Sequence, residues 1–167
     1  MFNRDPYTFM NHESVPKQIL HVITTILKSW DMPRTDYEYV SMFKPNGVLH
    51  VLEEPTKGRE AIKKLHDDMI NADRGPVVDL QHYFDRVFVL AGENHEAVEV
   101  VFTGKLTNVL KDGVSVNTDF ATWMVMSKSE ENGGELQVDH LKVYSDTSAL
   151  MCAIAKMSGQ GALSETS

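Results

Sequence analysis

Four long apolar segments decide the fold: VVDLQHYFDRVFVL at residues 77–90, AVEVVFTGKLTNVL at 97–110, VSVNTDFATWMVM at 114–126 and LQVDHLKVY at 136–144. Each is rich in the β-branched and aromatic residues that favour strands. The segments between them have the composition of tight turns: Ala91-Gly92-Glu93-Asn94, Lys111-Asp112-Gly113 and Asn132-Gly133-Gly134. Strands joined only by turns pair antiparallel, so the second half of the chain predicts a four-strand meander.

The first half of the chain is mainly helical. Between residues 14 and 29, apolar side chains recur at three- and four-residue spacing, which predicts an amphipathic helix with Ser14 as its cap. A shorter helix is predicted over residues 36–43 and a third over residues 59–71. Pro45-Asn46-Gly47 predicts a turn that leads into a short strand over residues 48–52, and residues 149–157 predict a closing helical turn.

Together these elements predict an α+β fold. A helical front half followed by a long meander favours a cone-shaped, curved antiparallel sheet wrapped around the N-terminal helices, with a closed-ended pocket inside. We assign residues 1–13 to an N-terminal arm, residues 14–157 to a single domain, and residues 158–167 to a mobile tail.

Composition narrows the classes of partner. The 167 residues carry a formal net charge of −8 and their Lys and Arg residues are scattered, so nucleic acid is not expected as a partner. No apolar stretch approaches membrane-spanning length and the first residues lack the pattern of a secretory signal, so we expect a cytoplasmic protein without membrane contact. Cys152 lies in an apolar run and is expected to be a buried thiol.

The sequence carries no familiar cofactor signature. The seven histidines are dispersed, and neither a zinc-binding spacing of His and Cys, nor a Gly-rich phosphate loop, nor a Gly-x-Ser-x-Gly elbow occurs. We therefore expect no metal and no cofactor. The chemistry that remains is acid–base work by His, Asp, Glu and Tyr side chains inside an apolar pocket.

Asp31 and His82 are the leading candidates for an acid–base pair. Asp31 follows Trp30 at the end of the first helix, where it is either a solvated turn residue or directed toward the open end of the curved sheet. A histidine on an apolar strand face is either a core residue or, with a carboxylate in reach, a base that works near neutral pH. Strand alternation assigns to the face of His82 the side chains of Val78, Leu80, Phe84, Phe88 and Leu90.

Two further carboxylates are candidates for the pocket. Asp119 is on a strand with polar residues on both faces, so it is either a solvated edge residue or a pocket acid. Asp139 and His140 are neighbours on the last strand and must point to opposite faces. If Leu141 and Val143 face inward, parity puts Asp139 in the pocket and His140 on the outer face, although the pattern is also compatible with the reverse.

Other side chains are assigned more simply. His66, next to Asp67 and Asp68, is interpreted as part of the solvated face of the third helix. His50 is compatible with either face of its strand. We expect the pocket wall to include His50, Tyr39, Phe84, Phe102, Trp123 and His140.

Three short motifs resemble the SnoaL-like branch of the nuclear transport factor 2-like superfamily: MFKPNGV at residues 42–48, KGREAI at 57–62 and VYSDTS at 143–148. The resemblance extends over about residues 14–155 and rests on the order and spacing of the motifs. It implies a helix-lined cone of curved antiparallel sheet, and frequently a homodimer that packs through the outer sheet face. Because the superfamily includes isomerases, aldol cyclases, dehydratases, epoxide hydrolases and proteins without activity, the resemblance leaves the chemistry open.

Two local motifs add to this resemblance. Trp30-Asp31 is similar to the Tyr-Asp pair that ends the first helix of scytalone dehydratases, and Gln81-His82-Tyr83 resembles their Gln-His-Phe. The second catalytic histidine of those enzymes has no counterpart, since the strand at 97–110 contains no histidine. Ketosteroid isomerases differ more, because their general-base aspartate has no equivalent in His50-Val51-Leu52-Glu53.

The expected function is a cofactor-independent acid–base enzyme, an isomerase, cyclase or dehydratase, that acts on a small apolar carbonyl-bearing metabolite of secondary metabolism. His82 is expected to be the base, Asp31 to orient it, and Asp119 or Asp139 to donate to the developing oxyanion. The absent second histidine favours isomerisation or cyclisation over dehydration. A non-catalytic pocket protein, or an adaptor that uses the outer sheet face, is compatible with the same residues.

Overall fold

The computed structural model describes residues 2, 7–90 and 97–159, which form one curved, unclosed sheet packed against helices. The strands are β1 (Phe43–His50), β2 (Thr56–Lys57), β3 (Val77–Leu90), β4 (Ala97–Leu110), β5 (Ser115–Lys128) and β6 (Leu136–Ser145). They are arranged in the order β2-β1-β6-β5-β4-β3. The predicted α+β class, a curved sheet around helices, is confirmed.

The meander agrees closely with the sequence pattern. Strands β3 and β4 have the predicted bounds, and β5 and β6 differ from theirs by no more than two residues at either end. Gly113, Gly133 and Gly134 have positive φ, as tight turns require. The turn predicted at residues 91–94 lies outside the described residues.

Strand β1 departs from the prediction. It begins at Phe43, and Pro45-Asn46-Gly47 forms an irregularity inside it rather than a turn before it. Gly47 is required there, because a Cβ would lie 2.9 Å from the carbonyl oxygen of Val138. Strand β2, which the pattern did not predict, pairs antiparallel with β1. Strands β1 and β6 pair parallel, so the expectation of a wholly antiparallel sheet is wrong for this pair; helix and strands between them supply the long connection that parallel pairing needs.

A bulge divides strand β3 into two parts. Its pairing with β4 shifts by one residue between Phe84 and Arg86, so the side chains that follow change faces. His82 faces the interior before the bulge, whereas Phe88 and Leu90 are exposed after it. The predicted common face of these three side chains is therefore wrong.

The helices are α1 (Lys17–Trp30), α2 (Glu38–Ser41), α3 (Arg59–Met69) and α4 (Ser148–Met157), with short 3-10 turns at His12–Ser14 and Glu130–Asn132. The amphipathic stripe of α1 is buried in the sheet's main core, as predicted. Ser14 does not cap α1, because Pro16 holds that position and the Ser14 hydroxyl donates to the Asn11 carbonyl. Among the described residues, none of these helices combines the length and apolar character needed to cross a bilayer.

Helix α4 closes one end of the sheet. Leu150 is buried, and Ala153, Ile154 and Met157 pack against the same small core as strand β3. These inward positions are three, four and seven residues after Leu150, which leaves Cys152 on the opposite, exposed side. The predicted burial of this thiol is therefore wrong.

The arm ahead of α1 is part of the packed structure. Tyr7 and Phe9 are buried in the main core, although the arm has no periodic pattern. Strand β3 is at the sheet edge, and the Asn11 side chain occupies that edge by accepting from the Val87 N–H at 3.1 Å and donating to the Val87 carbonyl at 2.6 Å. A backbone hydrogen bond, from the Met10 N–H to the Asp85 carbonyl, joins the arm to the same strand. Most of the tail predicted from residue 158 onward lies outside the described residues.

Gly104 permits a close contact inside the curved sheet. A Cβ at this position would lie 2.2 Å from the Tyr83 carbonyl oxygen and 2.9 Å from the tip of the Phe120 ring. Phe120 in turn contacts the His82 imidazole edge to face, with ring centroids 5.3 Å apart. The missing side chain therefore leaves room for the Phe120 ring, which lies against His82.

Gly104→Ala is expected to lower the free energy of unfolding by about 1–3 kcal/mol, because an overpacked core must shift backbone or ring to relieve the clash. The measurement is the denaturant midpoint and slope. Lys105→Ala, an exposed change on the same strand, is the control and is expected to stay within about 0.5 kcal/mol. Equal midpoints for the two variants would contradict the close contact at Gly104.

Candidate active site

Asp31 and His82 meet in the structure. Asp31 lies at the C-terminal end of α1, and its Oδ1 is 2.5 Å from Nδ1 of His82 on β3. The Asp31 Oδ2 accepts from the backbone N–H of His82 at 2.8 Å. One carboxylate therefore holds both the backbone and the ring of the same histidine, which fixes the ring's orientation.

The Asp31 carboxylate is fully buried and surrounded by donors. Besides the two groups of His82, the Tyr7 hydroxyl donates to Oδ2 at 2.7 Å, and Nε2 of Gln81 lies 3.5 Å from the same oxygen. An ionised carboxylate accepts hydrogen bonds only, so this environment suits the anion. With Asp31 as acceptor, Nδ1 of His82 carries the proton and Nε2 keeps its lone pair.

A second buried histidine supports the end of α1. His66 Nε2 is 2.8 Å from the Trp30 carbonyl, and its ring packs against Trp30 and Tyr39 at centroid distances of 4.8 and 5.3 Å. His66 is buried, so its assignment to the solvated face of α3 is wrong; it lies four residues after the buried Ile62, on the same helix face. Burial lowers the pKa of His66, an effect partly offset by the Trp30 carbonyl and by Asp67.

The imidazole of His82 lines a partly open cavity of about 160 Å³ between the sheet and helices α1, α3 and α4. Most of the wall is apolar, and includes Phe43, Leu106, Phe120 and Leu141. His82 is 12% exposed, and no described side chain occupies hydrogen-bonding distance of its Nε2. This nitrogen is therefore the one available to a molecule in the cavity.

The wall also carries a few polar side chains besides His82: Asn108, Thr118, Thr122, Ser145 and Thr147. Among the described lining residues there is no Lys, Arg, Asp or Glu. Within the ranges 7–90 and 97–159, no three His, Cys, Asp or Glu side chains are grouped so that they could hold a metal ion.

The two other predicted carboxylates lie away from the cavity. Asp119 is exposed opposite Lys105, because Thr118 and Phe120 take the inward positions of β5. Asp139 forms an ion pair with Lys44 at 3.0 Å and accepts from the Ser127 hydroxyl. The expectation that either lines the pocket is wrong.

A bulge explains the error at Asp139. The pairing of β5 with β6 shifts between Val125 and Met126, whose partners are His140 and Val138, so Asp139 has no partner of its own. Leu141 and Val143 face the cavity, as the first of the two predicted alternatives required. The bulge interrupts the alternation of faces, so Asp139 does not share their inward face. His140 lies outside, against the Trp123 ring.

Among the other residues predicted to line the pocket, one lines the cavity and the rest do not. Phe102 lines the cavity, while Phe84 packs against Phe102 without lining it. Tyr39 is buried beside Trp30, behind the wall, and burial raises the pKa of its hydroxyl.

His50, Trp123 and His140 do not line the cavity. The His50 ring lies near the Glu53 carbonyl, and the Trp123 indole donates to Glu99 at 2.9 Å. Burial and the charges of His50 and Lys142 lower the pKa of His140. Trp123 and His140 lie on the outer sheet face, through which the family resemblance implies a homodimer contact, and that contact stays a prediction.

Several site residues were missed by the sequence prediction, and Tyr7, Asn108 and Thr118 illustrate why. Tyr7 lies in an arm without periodicity, so nothing in the local pattern marks it. Asn108 and Thr118 could have been found, since they share strand parity with the inward Leu106 and Phe120 respectively.

Comparison with known proteins yields similarity of structure without similarity of sequence. No family profile matches the chain, and no curated protein matches its sequence. Several solved structures do match. A nuclear transport factor 2-like superfamily protein from Salmonella enterica has 15% identity and a TM-score of 0.65, over 79% of this chain and 91% of that one.

Two further similar structures are an enzyme and a protein whose name states no activity. The hexachlorocyclohexane dehydrochlorinase LinA-type3 from Novosphingobium barchaimii has 13% identity and a TM-score of 0.66, over 78% of this chain and 85% of that one. ActVI-ORFA from Streptomyces coelicolor has 16% identity and a TM-score of 0.63, over 78% of this chain and 96% of that one. At such identities the similarity concerns the fold.

Asp31→Ala is expected to cost about 2–4 kcal/mol of unfolding free energy, because it leaves the buried Tyr7 hydroxyl and His82 N–H without their acceptor. Tyr7→Phe removes one donor and is expected to cost about 1 kcal/mol. Denaturant unfolding measures both, with the exposed change Tyr144→Phe as the control. A Tyr7→Phe variant as stable as the Tyr144→Phe variant would contradict the Tyr7–Asp31 bond.

The lowered pKa of His66 predicts that the stability of the fold depends on pH. Between its lowered pKa and the ordinary value of 6.5, the unfolded chain binds more protons than the folded one. Stability is therefore expected to be greatest above pH 6.5 and to decline as the pH falls below it. Unfolding free energies measured from about pH 8 to pH 5 test this.

His66→Gln is the matched variant, because its amide can still donate to the Trp30 carbonyl but does not titrate. It is expected to show a shallower decline than the natural chain. The exposed change His21→Gln should leave the slope as it is. An identical slope in the His66 and His21 variants would assign the decline to other groups.

Proposed function

Since the chain has the nuclear transport factor 2-like fold, we propose that it is an acid–base enzyme whose own side chains move a proton on a small, largely apolar, carbonyl-bearing metabolite. The observation that carries this proposal is the His82 imidazole, held by the buried Asp31 and placed in the wall of an apolar cavity. A buried carboxylate on one ring nitrogen orients the histidine and stabilises its imidazolium, so the other nitrogen is suited to act as a general base.

The proposed chemistry begins at a carbon next to the carbonyl group. His82 Nε2 takes a proton from that carbon, and the electron pair of the broken C–H bond moves toward the carbonyl oxygen. Asp31 keeps the ring oriented and stabilises the imidazolium that forms. The imidazolium then returns the proton to another carbon, which is an isomerisation, or to a departing hydroxyl group, which is a loss of water. In a cyclisation, the carbanion attacks a second carbonyl carbon, and the oxygen of that carbonyl takes the proton from the imidazolium.

The cavity supports this substrate class. Its volume of about 160 Å³ is close to the ~150 Å³ of an apolar protein cavity that accommodates benzene, so a ligand with one small ring fits. An apolar wall strengthens electrostatic interactions between His82 and a developing charge. One of the structures with this fold is named a dehydrochlorinase, so the fold accommodates an enzyme that removes a proton and a leaving group.

His82→Ala is expected to reduce proton abstraction about 10²–10⁴-fold, the usual contribution of a general base. The assay is exchange of the hydrogens next to the carbonyl of cyclohexanone in D₂O, followed by NMR, which detects the base whatever reaction follows. Asp31→Asn, which replaces an acceptor-only group by an amide, is expected to lower the same rate. The exposed change His21→Ala serves as the control.

The circular dichroism of each variant establishes that it is folded. Exchange by the natural chain above the buffer rate, lost in His82→Ala, would support the proposal. A folded His82→Ala variant that exchanges as fast as the natural chain would refute it.

A further inference from the structure

Two polar groups in the cavity wall have no protein partner among the described residues. They are the side-chain nitrogen of Asn108 and the hydroxyl oxygen of Thr118. Asn108 is 3% exposed and Thr118 9% exposed. A buried polar atom without a hydrogen bond is costly, and native proteins keep few of them. In a binding cavity, such an atom marks where a polar atom of the ligand belongs.

The strand register brings both groups around His82. His82 on β3 pairs with Leu106 on β4, and Leu106 pairs with Thr118 on β5, so the three side chains form one row on the concave face. With strands about 4.8 Å apart, Thr118 lies roughly 10 Å from His82 between Cα atoms. Asn108 is two residues along β4 from Leu106, and is therefore a diagonal neighbour of both, at about 7–8 Å. The three polar side chains form a triangle over Leu106.

The chemistry of the pair selects its ligand. An amide N–H and a hydroxyl both donate, so together they suit an oxygen that accepts two hydrogen bonds. No described Lys or Arg lines the cavity to neutralise a charged group. His82 is the one described side chain in the wall that could become a cation, and Asp31 already pairs with it, so burying a carboxylate or a phosphate beside Asn108 and Thr118 would be unfavourable. The pair therefore suits a neutral carbonyl oxygen.

We propose that Asn108 and Thr118 form the subsite that binds the substrate's carbonyl oxygen, and that the substrate is a neutral ketone or aldehyde on a small apolar ring. The inference rests on the proposed function, since it assigns the oxygen whose neighbouring carbon faces His82. The C–H bond breaks, its proton goes to Nε2 of His82, and its electron pair forms the C=C bond of an enolate as the carbonyl π pair moves to oxygen. The two donors then bind a more negative oxygen than before, which stabilises the transition state more than the bound ketone.

The test compares ligands of one shape that differ in the oxygen. Cyclohexanone has a carbonyl, methylenecyclohexane replaces the oxygen by CH₂, and cyclohexanecarboxylate adds a charge. NMR titration of the natural chain is expected to show cyclohexanone bound at least 10-fold more tightly than methylenecyclohexane, as two hydrogen bonds of about 3- to 10-fold each would produce. Cyclohexanecarboxylate is expected to bind more weakly than cyclohexanone.

The variants Asn108→Leu and Thr118→Val remove one donor each. Each variant is expected to bind cyclohexanone about 3- to 10-fold more weakly than the natural chain does, while its affinity for methylenecyclohexane stays within about 2-fold. Thr103→Val, a matched change on β4 outside the cavity wall, should alter neither ligand. Because the two groups have no hydrogen-bond partner in the described part of the chain, both variants are expected to unfold at the same temperature as the natural chain or a higher one.

Two results would overturn the subsite. One is equal affinity of the natural chain for cyclohexanone and methylenecyclohexane. The other is a lower unfolding temperature in both variants with the preference for the ketone retained, which would make the two side chains structural. The hydrogen-exchange assay tests the proposed function separately. If the chain prefers the ketone but His82 does not catalyse exchange, the proposed enzyme activity is refuted and the subsite assignment still holds.

Discussion

An ionised carboxylate in an apolar interior must be surrounded by donors, and the structure around Asp31 meets that requirement. Its donors come from two distant parts of the chain, the N-terminal arm through Tyr7 and the edge strand through His82. The carboxylate itself is positioned by the end of α1, which His66 holds through the Trp30 carbonyl. Bonds that join the arm, the first helix and the sheet thus also orient the imidazole.

The shape of the cavity depends on a second constraint, the curvature of the sheet. Strand β3 changes faces at its bulge, and at the same level the missing side chain of Gly104 lets strand and ring approach. Phe120 occupies the space and contacts His82. A regular flat pairing of these strands would change the environment of the base without changing any residue of the site. Backbone irregularity is therefore part of how this sequence builds an apolar enclosure.

The sequence was most informative where a long periodic pattern is bounded by turn residues. Strands β3 and β4 follow from β-favouring composition between turn residues, and the placement of Asp31 beside His82 was suggested by family motifs rather than by periodicity. Alternation predicted the wrong face for Asp139, because a bulge reverses the order of faces and no residue in the sequence indicates the bulge. It could not decide Asp119, since both faces of that strand carry polar residues.

Other misses came from contacts between segments far apart in the chain. His66 and Cys152 were assigned from their immediate neighbours, whereas the phase of each helix relative to Ile62 and Leu150 decides their burial. Tyr7 could not be predicted, because its partner is 24 residues away and the arm has no regular pattern.

The arm has one more consequence, which concerns the protein's behaviour among copies of itself. An edge strand presents unpaired N–H and C=O groups, to which another chain can add a strand. At Val87 both groups are already bound by a single side chain, because the amide of Asn11 reproduces the donor and acceptor of a peptide group. Strand addition at this point would first have to displace the arm, so the same segment that completes the site also protects this part of the sheet edge from uncontrolled self-association.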